Sequence, residues 1–165
     1  MSLAIDWVWL RRGENPFIYL NDVFRYSMAR LNHREDAEDI AIEVVQSLPN
    51  PCRRRDLRVY MLGMAKRKIA DRHRRSRPTD EIRETDLSGT FDHQADEAAF
   101  VTCVMQHLTL EHREVLVLKY VVGMSSAEVG KVMDRKPEAI DSLLQRAREA
   151  FGRHWKDLSS DEVKL

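Results

Sequence analysis

Along most of the chain, apolar residues return every three or four positions, the period of a helix with one buried face. In LAIDWVWLRR the repeat is Leu3, Trp7 and Leu10. Asn15 is placed to cap the next helix, in which FIYLNDVFRYSMARL sets Phe17, Leu20, Phe24, Met28 and Leu31 on one stripe. EDAEDIAIEVVQSL groups Ala37, Ile40, Ala41, Val44 and Leu48 and stops at Pro49, whose ring and missing N–H cannot continue a helix. DLRVYMLGMAKRKIADRHRR turns Leu57, Met61, Met64, Ala65 and Ile69 inward and its Arg and Lys residues outward.

Four more helices are expected beyond residue 95. The first covers about 96–107, and the second, LEHREVLVLKYVV, ends at Gly123, a suitable C′ glycine. The third, SAEVGKVMD, starts at Ser125 or Ser126, and Ser125 and Glu128 have the spacing of a capping box. The fourth opens with Pro137 in its first turn and runs to about His154. A short helix, a tight turn and a longer helix with Arg in its C-terminal half form the helix-turn-helix pattern. Ala127, Val129, Val132 and Met133 are expected to pack the short helix, and Ile140, Leu144 and Ala147 the longer one. The outer face of the longer helix then offers Glu138, Ala139, Asp141, Ser142, Gln145, Arg146 and Arg148.

Composition adds little until it is divided. The 165 residues are 43% hydrophobic and 33% charged, with 27 basic and 27 acidic side chains. That neutral total conceals blocks: net −3 over residues 1–50, +9 over 51–77, −6 over 78–100 and 0 over 101–165. The acidic block PTDEIRETDLSGTFDHQADEAAF is poor in large apolar residues and reads as a linker. Its position divides the chain into segments of about 1–77 and 96–165, with residues 78–95 between them. The expected fold is all-α, two small helical domains joined by an acidic flexible linker. No apolar run approaches the ~18 residues of a membrane span, and MSLAIDWVWLRR lacks the basic start and cleavage site of a signal peptide. Cys52 and Cys103 stand far apart without a CxxC pair, which fits inert thiols in a reducing cytoplasm. The six His residues have no ligand-like spacing, so neither metal nor cofactor is expected, nor membrane insertion.

Three surfaces carry candidate chemistry. The basic helix has Lys66, Arg67, Lys68, Arg72, Arg74, Arg75 and Arg77 near its end, with Tyr60 one to two turns upstream. Cations attract phosphates and an aromatic ring can stack on an unpaired base, although Tyr60 also suits a core position. The outer face of the last helix offers Gln for adenine edges and Ser or Arg for phosphate or guanine, or is a solvated charged face. Asp36, Glu38, Asp39 and Glu43 crowd one helix, either facing a basic partner or stabilising the helix N-terminus.

Taken together, these segments resemble the extracytoplasmic-function (ECF) sigma factors of the sigma-70 family across nearly the whole chain. WVWLRRGENPFIYLNDVFRYSMARL is similar to the opening helices of region 2, HREDAEDIAIEVVQSL to its "DAED" helix, and LRVYMLGMAKRKIADRHRR to the promoter-melting helix. LTLEHREVLVLKYVVGMSSAEVGKVMDRKPEAIDSLLQRAREAF resembles region 4 throughout, most specifically in REVLVLKYVVGMS and QRAREAF. The resemblance implies a non-enzymatic subunit that binds core RNA polymerase and directs it to promoter DNA, commonly under the control of an anti-sigma factor. It gives Asp36, Glu38 and Asp39 the polymerase contact. Tyr60, Lys66, Arg67, Arg72, Arg74 and Arg75 take the −10 element, and Lys136, Glu138, Ala139, Ser142, Gln145 and Arg146 the −35 element. A sigma-like mimic that binds protein without reading DNA is the competing reading; a stand-alone helix-turn-helix regulator leaves the DAED segment unexplained.

Departures from the family pattern carry their own expectations. Tyr60 replaces the usual Trp, and Lys66-Arg67 an Arg-Asn pair. Asp141-Ser142-Leu143 replaces a Lys-Ser-Arg run, and two lost phosphate contacts would weaken DNA binding on the order of tenfold or more. Asp134 stands where a turn glycine is usual and must tolerate a left-handed backbone. Gly130 replaces Ala, at about 1 kcal/mol by helix propensity.

Overall fold

The computed structural model describes residues 15–49, 56–75 and 93–162. The helix expected over LAIDWVWLRR and the linker up to residue 92 lie outside the described residues, as do Arg77 and Cys52.

Asn15 caps as expected, its side chain accepting from the Phe17 N–H at 3.0 Å. What it caps is a single 3₁₀ turn, Pro16–Tyr19, which leads into α1, Leu20–Leu31. Asn32 closes α1 in the left-handed conformation (φ 54°), and α2 runs Arg34–Gln46. The third helix, α3, is Leu57–Arg75. Ala37, Ile40, Ala41 and Val44 from α2, with Leu48 just beyond its end, are buried against Leu57, Met61, Leu62, Ala65 and Ile69 from α3. Helix α1 differs from expectation. Its fully buried residues are Val23, Tyr26 and Ser27, whereas Phe24, Met28 and Leu31 are half-buried and Phe17 is 38% exposed. The expected stripe assumed one packing partner, but α1 packs against α2 and α3 and also against the second half of the chain.

That second half begins with α4, His93–Gln106. Thr109 caps α5, Leu110–Leu116, accepting from the His112 N–H at 3.2 Å. The helix then widens into one π turn, Val117–Val121, with Val122 N–H donating back to Val117 O at 3.0 Å. Gly123 ends it at φ 78°, a conformation that glycine adopts without a Cβ penalty. The short helix α6, Ser126–Met133, opens with the full capping box, Ser125 and Glu128 each satisfying the other's backbone N–H. Asp134 closes it at φ 55°. The last helix, α7, is Pro137–Glu162, two turns longer than its sequence period suggested. The extension has a partner: the Trp155 ring stands edge-on to Phe100 of α4 at 4.6 Å and beside Phe151 at 5.8 Å. Among the described residues there is no strand.

One connected cluster of buried side chains runs through both halves. Helix α3 packs on α6, and α1 packs on the π turn.

Candidate nucleic-acid and partner interface

Helices α6 and α7 cross as a helix-turn-helix. Val129, Gly130 and Val132 are buried on α6, and Ile140, Leu143, Leu144 and Ala147 on α7. Ala127, expected to pack the short helix, is exposed instead. Gly130 is dictated by the turn. An added Cβ would lie 2.5 Å from the carbonyl oxygen of Arg135, whose own N–H donates to Gly130 O at 2.8 Å.

Lys136, Glu138, Ala139, Ser142, Gln145 and Arg146 are all exposed on one end and one face of α7. Among the described residues their side-chain polar groups bond within the same helix: Ser142 Oγ donates to Glu138 O (3.1 Å), Gln145 Nε2 to Glu149 Oε1 (3.2 Å) and Arg146 Nε to Ser142 O (3.4 Å). An exposed row of this kind can exchange such bonds for base edges or phosphates. The expectation that Leu143 removes a cation from this face is corrected: its side chain is 1% exposed and belongs to the core. Asp141 is exposed and serves the motif itself, accepting from Ser126 Oγ at 2.6 Å and so tying α7 to the start of α6.

The basic helix is placed differently. Tyr60 is half-buried against the core cluster, which unites its two sequence readings. With Gly63, Lys66 and Arg67 it forms one wall of a groove of about 630 Å³, and Lys131, Val132 and Asp134 form the other. Arg67 Nε donates to Gly63 O at 3.2 Å. Arg74 pairs with Asp71, and Arg75 is exposed at the helix end.

The acidic helix lies alongside. Asp36, Asp39 and Glu43 fall at i, i+3 and i+7 on α2, where they meet Arg72 and Lys68, one turn apart on α3. Arg72 reaches Asp36 at 2.5 Å and Asp39 at 3.8 Å, and Lys68 reaches Glu43 at 3.3 Å. Glu38 points elsewhere and pairs with Arg34 at 2.8 Å. Two of the three carboxylates assigned to polymerase are therefore coupled to an arginine assigned to DNA.

Sequence reasoning missed the polar groups between the halves. Tyr26, fully buried, donates its hydroxyl to Glu114 Oε1 at 2.6 Å, and Glu114 is itself only 4% exposed. Arg30 Nε lies 3.4 Å from the other oxygen of Glu114, an ion pair without hydrogen-bond alignment. Burial and the neighbouring Glu114 carboxylate push the Tyr26 hydroxyl well above its ordinary range, so it stays a donor. Arg58 spans three elements: Asp22 at 2.7 Å, the Val122 carbonyl at 2.8 Å and Glu128 at 3.6 Å. The Ser125 backbone N–H, helped by Arg58, holds the Glu128 carboxyl below its usual value. Lys131 bonds Asp56 at 2.7 Å. The one available signal was Glu114 itself, an acid heading the apolar run VLVLKYVV. Among the described residues no group of three or more His, Cys, Asp or Glu could hold a metal, and no helix is long and apolar enough to cross a membrane.

Residues 101–151 match the family "Sigma-70, region 4", which takes in the C-terminal part of α4, all of α5 and α6, and α7 to Phe151. The chain is 31% identical to the ECF RNA polymerase sigma factor SigC of Mycobacterium tuberculosis over 140 residues, 79% of this chain and 75% of that one. It is 29% identical to SigD of the same species over 143 residues, 76% of this chain and 68% of that one. The fold is shared with the sigma factor RpoE from Bartonella quintana, solved with the anti-sigma factor NepR (TM-score 0.59, 15% identity, 85% and 93% of the two chains). It is likewise shared with CnrH, solved with the cytosolic domain of CnrY (TM-score 0.55, 19% identity, 83% and 80%). Sequence identity sustained over three-quarters of SigC, on a helix-turn-helix that itself matches region 4, makes this chain a member of the ECF group of sigma-70 factors.

Proposed function

We propose that the protein is a promoter-specificity subunit that binds core RNA polymerase and directs it to start transcription. Residues 1–77 act as region 2 and residues 96–165 as region 4, with 78–95 as the linker. The observation that carries this reading is the exposed row from Lys136, just before α7, to Arg146 on it, in a helix-turn-helix whose short helix is capped at both ends. A protein-binding mimic has no use for such a row, and its main motive weakens once Leu143 is seen to be core.

In this reading α7 enters the major groove of the −35 element, while Lys136, Ser142 and Arg146 hold phosphate or guanine and Gln145 reads an adenine edge. Tyr60 stacks on an unpaired −10 base, with Lys66, Arg67, Arg72, Arg74 and Arg75 along the strand. Opening needs no covalent chemistry. Contacts to flipped bases offset an unstacking cost of a few kcal/mol per step. Asp36, Glu38 and Asp39 meet a basic surface on polymerase. Working beside polymerase, the protein acts in the cytoplasm. RpoE of B. quintana, which shares this fold, was crystallised with an anti-sigma factor, and a partner of that kind fits this chain.

The test separates opening from docking. Lys66→Ala with Arg67→Ala should leave core polymerase binding intact and abolish permanganate-reactive thymines at the start site. Reactive thymines at wild-type level would remove α3 from the melting role.

A further inference from the structure

Helix α3 meets the short helix α6 at the seam between the two halves, and the groove of about 630 Å³ between them has the size of a small-molecule site. Its features follow one another along α3. Asp56, just before the helix, accepts from Lys131 of α6 at 2.7 Å. Tyr60 stands one turn further on, then Gly63, then Lys66 and Arg67. Lys66 and Arg67 follow Tyr60 by six and seven residues, about 9–10 Å along the axis at about 1.5 Å per residue. Two of these residues are unexplained by the chain itself. Gly63 sits mid-helix, where glycine costs stability, yet nothing lies within 4 Å of where its Cβ would stand. Lys66 is half-buried and has no acidic partner among the described residues. Open space against a backbone and a cation without a counter-charge both call for a ligand.

We propose that the groove binds a guanine nucleotide carrying two or more phosphates. The base lies on the Tyr60 ring, a stacking surface. Its Watson–Crick edge meets the Asp56–Lys131 pair. The carboxylate accepts from guanine N1–H and the 2-amino group, and the ammonium donates to O6. Adenine offers one donor there beside an acceptor, so half of the carboxylate goes unmet. The ribose passes over Gly63, and the phosphates reach Lys66 and Arg67. The spacing of these cations from Tyr60 is that of a base from the terminal phosphate of a nucleoside diphosphate. The order of charges selects a free nucleotide over a strand. A strand carries phosphate on both sides of every base, and Asp56 repels it on the side away from Lys66. The other lining acid, Asp134, closes α6 and is outnumbered by Lys66 and Arg67. Lys131 comes from the helix-turn-helix, so both halves contribute to the site. The site stands apart from the sigma reading, which its failure would leave intact.

Isothermal titration of the full chain with guanosine diphosphate tests it, with adenosine diphosphate, guanosine and inorganic pyrophosphate as comparisons. Guanosine diphosphate should bind with a Kd below about 1 mM, and each of the other three at least about tenfold more weakly. No binding overturns the site. Equal binding by adenosine diphosphate overturns the assignment of guanine, and equal binding by guanosine or pyrophosphate the placing of phosphate or base. Two variants locate the ligand. Gly63→Leu fills the groove. Leucine is the better helix former and its Cβ meets nothing, so this variant should melt no lower than wild type while losing guanosine diphosphate at least about tenfold. Lys131→Met removes an exposed ammonium and should weaken binding about tenfold. Undiminished binding by Gly63→Leu overturns the site. Binding that falls in Gly63→Leu but survives Lys131→Met is what a contact on α3 alone would give, and it overturns a site shared by both halves.

Discussion

Gly130 and Asp134 share the tight end of α6. Asp134 supplies the left-handed residue (φ 55°), and the chain then doubles back so closely that the Arg135 carbonyl oxygen leaves room for hydrogen alone at Gly130. Helix propensity predicts that Gly130→Ala gains about 1 kcal/mol. The contact predicts instead a loss of about 1–3 kcal/mol from overpacking, read as a lower urea midpoint. A raised midpoint would show that the turn yields freely. The left-handed Asp134 was legible in the sequence because Asp tolerates that conformation. The need for Gly130 was not, because it depends on a backbone atom five residues away. Leu143 shows the same limit: family spacing put it on the reading face, whereas packing of α7 puts it in the core.

At the scale of elements, the capping box of α6 was legible from Ser125 and Glu128 three residues apart, and the structure adds Arg58 as a third member. The bonded Glu128 carboxyl is held below its ordinary pKa of 4.5, so it contributes stability above that pH and loses it as pH falls through the folded value. Glu128→Gln should flatten this acid limb of the stability profile, measured by thermal unfolding between pH 6 and about 3. An unchanged slope would assign the acid sensitivity to other carboxylates. Ser125→Ala should cost about 1 kcal/mol through loss of the cap. The α2–α3 ladder was only half legible: the acids and the bases were each evident, but their pairing needs the register of one helix on another. It has a consequence for mutagenesis. Asp36→Lys should lower both polymerase association and folding stability, because it confronts Arg72 at close range. Asp39→Lys, 3.8 Å from Arg72 and more exposed, should lower association in a pull-down with little change in melting temperature. Equal thermal losses would mean that both acids are chiefly structural.

For the whole molecule, the helical content and the helix-turn-helix followed from local periodicity, caps and turn residues. The seam did not, since Tyr26 and Glu114 are 88 positions apart and nothing local announces their contact. The neutral total of 27 and 27 charges is similarly uninformative until its blocks are seen. The +9 block over 51–77 contains the helix that lines the groove, and the −6 block follows it in the sequence. Deleting residues 80–92 should therefore raise polymerase-free DNA binding at low salt, and unchanged affinity would leave the acidic block a spacer. The central claim is that this chain tells polymerase where to begin. Core RNA polymerase with and without the protein, transcribing a library of genomic fragments, with the 5′ ends of the transcripts mapped, tests it most directly. The expected result is a new set of start sites sharing two short upstream motifs at fixed spacing. Stable polymerase binding with no new start site would contradict the claim.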